Sequence, residues 1–172
     1  VPQLEPPQEG TTLKGRSGYV EELTLERLIQ RYVPTEQTWQ GLLEAHEQVL
    51  GRLWAQLVPL MGNAAARAIF DRTIQLARRR DSFTTLVQTA ERNLELSALR
   101  AQAPQMESEA LRAALTTLSQ TLEWVIVGLI GPGIFLTLLG DVELELQHQK
   151  TEFPTHPQPE EPKQEDGKPF SE

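Results

Sequence analysis

The sequence predicts an all-α protein: a single bundle of five or six helices between about Thr24 and Gln147, with disordered N- and C-terminal arms. Three observations predict it. Apolar residues in the middle of the chain recur at three- and four-residue intervals. Glycine and proline fall mainly between those runs, where they stop helices. Eight of the twelve prolines lie in the two ends, which have few aliphatic residues to bury. The expected organisation is therefore a flexible arm over 1–19, a helical domain over 20–150, and a disordered, acidic, Pro-rich tail over 151–172.

Thr24 can cap a first short helix reaching Tyr32, with Leu25, Leu28, Ile29 and Tyr32 on one face. Val33-Pro34 ends it, because the residue before proline is pushed out of the α region. A longer helix is expected from Thr35, with Trp39, Leu42, Leu43, His46, Val49, Leu50, Leu53, Trp54 and Leu57 as its stripe. Pro59 and Gly62 interrupt that stripe. Asn63 is then a suitable N-cap for a helix over 64–80 that turns Ala65, Ile69, Phe70, Thr73, Leu76 and Ala77 inward. Ser82 opens a fourth helix through Phe83, Leu86, Val87, Ala90 and Leu94, which Pro104 closes.

The fifth helix has the most regular pattern. Leu111, Leu115, Leu118, Leu122, Val125 and Leu129 form a seam of period 3.5. The seam lasts under three heptads and has no matching seam elsewhere, so docking within the bundle is favoured over an intermolecular coiled coil. No internal repeat is visible.

The stretch from Trp124 to Leu139 carries no charge and admits two readings. Gly131-Pro132-Gly133 at its middle would leave backbone groups unpaired in hydrocarbon, which argues against a membrane span. A buried helix–turn–helix is favoured, with Gly131 ending one helix and Pro132 starting the next. The alternative is contact with a membrane or an acyl ligand through Trp124, Ile130, Ile134 and Phe135. From Asp141 to Gln147, apolar and acidic residues alternate, which fits either a short edge strand or a fraying last helical turn.

Composition excludes several chemistries. The chain of 172 residues has no cysteine, hence no disulfide, thiolate metal site or cysteine nucleophile. His46 is the only histidine expected in the folded part, too few for a histidine metal site or the paired Glu-x-x-His motifs of a di-iron bundle. It reads as a core or boundary histidine; an axial haem ligand is conceivable there, but nothing else supports one. There is no phosphate-binding glycine loop and no nucleophile elbow. Neither a catalytic residue nor a cofactor is expected. A net charge of −8 argues against nucleic acid, whose phosphates require an excess of Lys and Arg.

Charge is unevenly distributed within that total. Residues 52–100 hold eight bases and four acids, and residues 101–172 hold four bases and twelve acids. Arg78, Arg79 and Arg80 in a last helical turn complement the negative end of a helix dipole. The same three arginines are a candidate patch for an acidic partner, the chain's own tail among them.

The phrase Leu57-Val-Pro-Leu-Met-Gly-Asn63, with Ala66-Arg-Ala-Ile-Phe-Asp-Arg72, Leu129-Ile-Gly131 and Leu136-Thr-Leu-Leu-Gly140, resembles an uncharacterised group of bacterial all-helical proteins. The resemblance covers about half of the folded part and rests on packing and turn features. It implies a bacterial, cytoplasmic accessory or regulatory domain and carries over no catalytic residues. The lack of a catalytic constellation, the charge asymmetry and the two tails make the expected function non-enzymatic: a regulatory or interaction domain that binds a protein partner or a second copy of itself. The first residue is Val, so a methionine or a longer leader is missing from this sequence, and in what remains no secretory leader is visible.

Overall fold

The computed structural model describes residues 23–36, 38–91 and 93–152. The arm expected over 1–19, and all but the first two residues of the expected tail, lie outside the described residues. The described part is an all-α bundle: α1 Leu25–Gln30, α2 Trp39–Met61, α3 Asn63–Ala77, α4 Ser97–Gln102, α5 Ser108–Ile130 and α6 Pro132–Glu152. Between α3 and α4 lies a small antiparallel hairpin, β1 Gln88–Thr89 with β2 Leu94–Glu95.

These elements form two copies of one three-helix unit. Each unit has a six-residue helix (α1, α4), a 23-residue helix (α2, α5), a glycine corner and a third helix (α3, α6). Gly62 and Gly131 have nearly the same backbone, φ 85° and ψ 158° against φ 82° and ψ 158°. Their N–H groups donate to Val58 and Val127 at 2.8 and 2.9 Å, closing the preceding helices in the same way. A positive φ suits a residue without Cβ, which is why glycine stands at both corners.

Burial keeps the same register. Counted from the glycines, buried Leu42, Ala45, Val49, Leu53 and Leu57 of α2 correspond to buried Leu111, Ala114, Leu118, Leu122 and Ile126 of α5. Ala66, Ile69, Phe70 and Ala77 of α3 correspond to Phe135, Leu138, Leu139 and Leu146 of α6. The units pack reciprocally, α3 chiefly on α5 and α6 chiefly on α2. The short helices also cross over: Glu123 of α5 accepts from Leu25 N in α1, and Arg100 of α4 pairs with Glu47 of α2 at 2.6 Å. A repeat is thus present where none was visible in the sequence. It survives as a burial register, and few identical residues mark it.

Several boundaries differ from expectation. Thr38, not Thr35, caps α2, accepting from Gly41 N at 3.2 Å. Pro59 lies within the last turn of α2 and does not interrupt it. Asn63 is the first residue of α3, with Gly62 at the cap and no side-chain bond there. No helix spans 82–103, because local side-chain bonds outcompete it. Asp81 Oδ1 accepts from Phe83 N, while the Thr84 and Thr85 hydroxyls donate back to Asp81 O and Ser82 O, closing a 3-10 turn over Ser82–Leu86. Asn93 then caps the hairpin strand through Leu94 N and ties it to α2 through Glu47 O.

The helix–turn–helix at Gly131 is as expected, but its residues are not all buried: Trp124, Leu129, Ile134 and Leu136 are exposed. The segment from Asp141 to Gln147 is neither strand nor frayed turn. It continues α6, with Val142 and Leu146 in the core.

Candidate docking groove

The reciprocal packing makes two equivalent seams, and they are finished differently. On the α2/α6 seam, Glu145 accepts from Gln56 and pairs with Arg52 at 3.5 Å, and Arg31 pairs with Glu143 nearby. Counted from the glycine corners, the positions of Gln56 and Glu145 are taken on the α3/α5 seam by Val125 and Leu76. No polar bridge can close that seam. It is open, forming a groove of about 770 Å³.

Small residues make the groove possible. Ala65 and Ala68 of α3 and Gly128 of α5 line it, and a Cβ added at Gly128 would meet nothing within 4 Å. Met61, Ile69 and Leu76 form one wall, and Trp124, Val125, Leu129 and Ile130 the other. Trp124 and Leu129 are 69% and 63% exposed, large costs in unburied apolar area for a single chain. The one charged lining residue is Arg72 of α3. Its side chain is exposed and makes no hydrogen bond or ion pair among the described residues.

Trp124 also borders a second cleft of about 360 Å³, on the α1 side of α5. That cleft carries two acids, Glu26 and Glu123, with Gln120, Thr24 and Val127 around them. Glu26 accepts from Thr116 and Gln120, and Glu123 from the Leu25 amide.

The residues singled out in the sequence divide between these surfaces and the core. Trp124 and Ile130 line the groove, and Ile134 is exposed beyond the Gly131 corner. Phe135 is core, 2% exposed, packed where Ala66 sits in the other unit, so it cannot contribute to an exposed apolar surface. Arg78, Arg79 and Arg80 follow the end of α3 and are all exposed. Arg78 is the C-cap, and its guanidinium donates to Val87 O at 3.1 Å, holding the 3-10 turn against α3. Arg72 was not picked out in the sequence. It is an isolated arginine there, and only the fold sets it beside Trp124.

His46 is buried, and its Nδ1 lies 2.8 Å from Leu42 O, which can only accept, so Nδ1 carries the proton. Burial lowers its pKa from 6.5 to about 4; the Leu42 carbonyl and Glu26 oppose that shift. Neutral and enclosed, it serves packing. Among the described residues no group of three or more His, Asp or Glu side chains is placed to hold a metal ion. One helix among them, α5, is long and apolar enough to cross a membrane. Leu111, Leu115, Leu118 and Leu122 commit one face of that helix to the core.

Compared with protein-family models, with curated proteins and with solved structures, the chain matches none.

Proposed function

We propose that this chain is a non-enzymatic binding domain that docks a protein in the α3/α5 groove. One observation carries the reading: of two equivalent seams, α2/α6 is closed by Glu145 with Gln56 and Arg52, and α3/α5 is open and apolar. A groove between two helices, floored by small residues and walled by Trp, Leu and Ile, suits an amphipathic helix inserting apolar anchors. Tryptophan beside such a groove is the residue type that most often dominates binding energy.

Site-specific photo-crosslinking in the source cells tests this. A photoreactive residue at Ala68 should give discrete protein adducts, and one at exposed Gln102 on α4 should not. Equal adduct patterns from both positions would remove the groove from the proposal. The basic run Arg78 to Arg80 is the competing surface, and crosslinks confined to it would move the docking site there.

A second reading rests on a separate observation. Leu60, Leu129 and Ile134 are exposed close to the two glycine corners, in segments without charge. That arrangement supports contact with a lipid surface. Flotation with neutral and anionic vesicles decides it, since a chain that never floats is not a lipid-binding one.

A further inference from the structure

The face that carries the groove has the features of a surface made to meet itself. A closed two-fold interface must be self-complementary, so a projection needs a matching hollow, and a charge its opposite, on the same patch. Trp124 is the projection, and the trough over Ala65, Ala68 and Gly128 beside it is the hollow. The charges lie on opposite sides of Trp124: Arg72 on the α3 side, Glu26 and Glu123 on the α1 side.

We propose that the occupant of the groove is a second copy of this chain, in a two-fold dimer whose axis runs parallel to α5, midway between Trp124 and the trough over Ala65, Ala68 and Gly128. This deepens the docking reading above and rests on it. An axis in that direction lays the α3 side of each copy over the α1 side of the other. Each Trp124 then enters the facing groove, and each Arg72 faces Glu26 and Glu123 of the other copy. An axis across α5 would instead set Arg72 against Arg72, which like-charge repulsion disfavours. The exposure of Trp124 and Leu129 is explained in the same way, because the dimer removes both from water.

Sedimentation of the full chain over a range of concentrations is the test. The expected result is a reversible dimer that weakens with added salt, as an interface steered by rim charges does. W124A removes the projection, and G128L puts a bulky side chain into the hollow from a Cβ that meets nothing within 4 Å. Each should raise the dimer dissociation constant by at least about tenfold, with helical circular dichroism unchanged. R72E should weaken the dimer, and R72E combined with E26K should recover it. Glu26 is the acid to change because Glu123 also holds the Leu25 amide.

A chain that stays monomeric up to about 1 mM overturns the second-copy proposal, as does a dimer indifferent to both W124A and G128L. The two failures are separable. A monomer that still crosslinks a different protein from Ala68 keeps the groove as a docking site and loses the dimer. A monomer that gives no Ala68-specific adduct loses both.

Discussion

The pyrrolidine ring of Pro34 lies directly over Gly41, so that a Cβ at Gly41 would fall 2.7 Å from both Pro34 Cδ and Cγ. This contact lets the connection after α1 fold back onto the first turn of α2, where Gly41 is buried.

Glycine to alanine should therefore change sign between two helical positions. G41A has to displace a rigid ring and should destabilise by about 1–3 kcal/mol. G128A meets open space in the interior of α5 and should stabilise by about 0.5–1 kcal/mol, the usual gain for replacing a helical glycine. Urea unfolding of the two variants checks the pair, and a neutral or stabilising G41A would contradict the close approach at Pro34.

The two glycine corners should behave as equivalents. G62A and G131A each force a side chain into a backbone region that is essentially glycine-only, and each should cost about 1–3 kcal/mol. Nothing lies within 4 Å of a Cβ at either site, so backbone strain is the whole effect. Unequal losses measured by chemical denaturation would show that the two units do not carry the same corner.

His46 makes stability depend on pH. Its folded pKa, about 4, lies below its unfolded value of 6.5, so the unfolded chain binds the proton first. The His46 contribution is complete above pH 6.5 and is lost as pH falls from there towards 4. The loss reaches about 3 kcal/mol at most. Denaturation midpoints across that range should fall with pH in the native chain, and H46L should flatten the dependence.

Glu123 links the first helix to the second unit. Its Oε2 accepts from Leu25 N at 2.9 Å, and Leu25 is fully buried. E123A strands that amide and should cost about 1–3 kcal/mol, while E123Q keeps an acceptor and should cost less. Hydrogen exchange at the Leu25 amide reads this contact directly, with faster exchange expected in E123A.

The arginine run should separate into a structural and a solvated part. R78A loses the bond to Val87 O and should destabilise by about 1 kcal/mol. R79Q and R80Q should stay within about 0.5 kcal/mol of the native chain, because both side chains are exposed. Thermal melts of the three variants distinguish them.

How much could be read in advance follows the range of the forces involved. Local rules placed the Thr24 cap, the stripe of α2, the seam of α5 as far as Val125 and the break at Gly131-Pro132. They failed over 82–103, where Thr84, Thr85 and Asn93 turn their side chains onto nearby backbone, a competition that apolar periodicity does not register. The docking groove was half legible. Trp124 and Ile130 stood out as apolar, but Arg72 and Gly128 did not, because nothing in the chain order says that α3 lies against α5.

Fold class and the absence of thiol chemistry follow from hydrophobic period and residue inventory, which are properties of the chain alone. Which apolar residues stay outside depends on how the helices pack. Phe135 and Ile134 are neighbours in one uncharged segment, yet the first is core and the second is exposed. A helix repeat leaves its direction open until another helix covers one face. Here α6 is covered by α2, while α3 and α1, packed on either side of α5, leave Trp124 standing between them beside the groove.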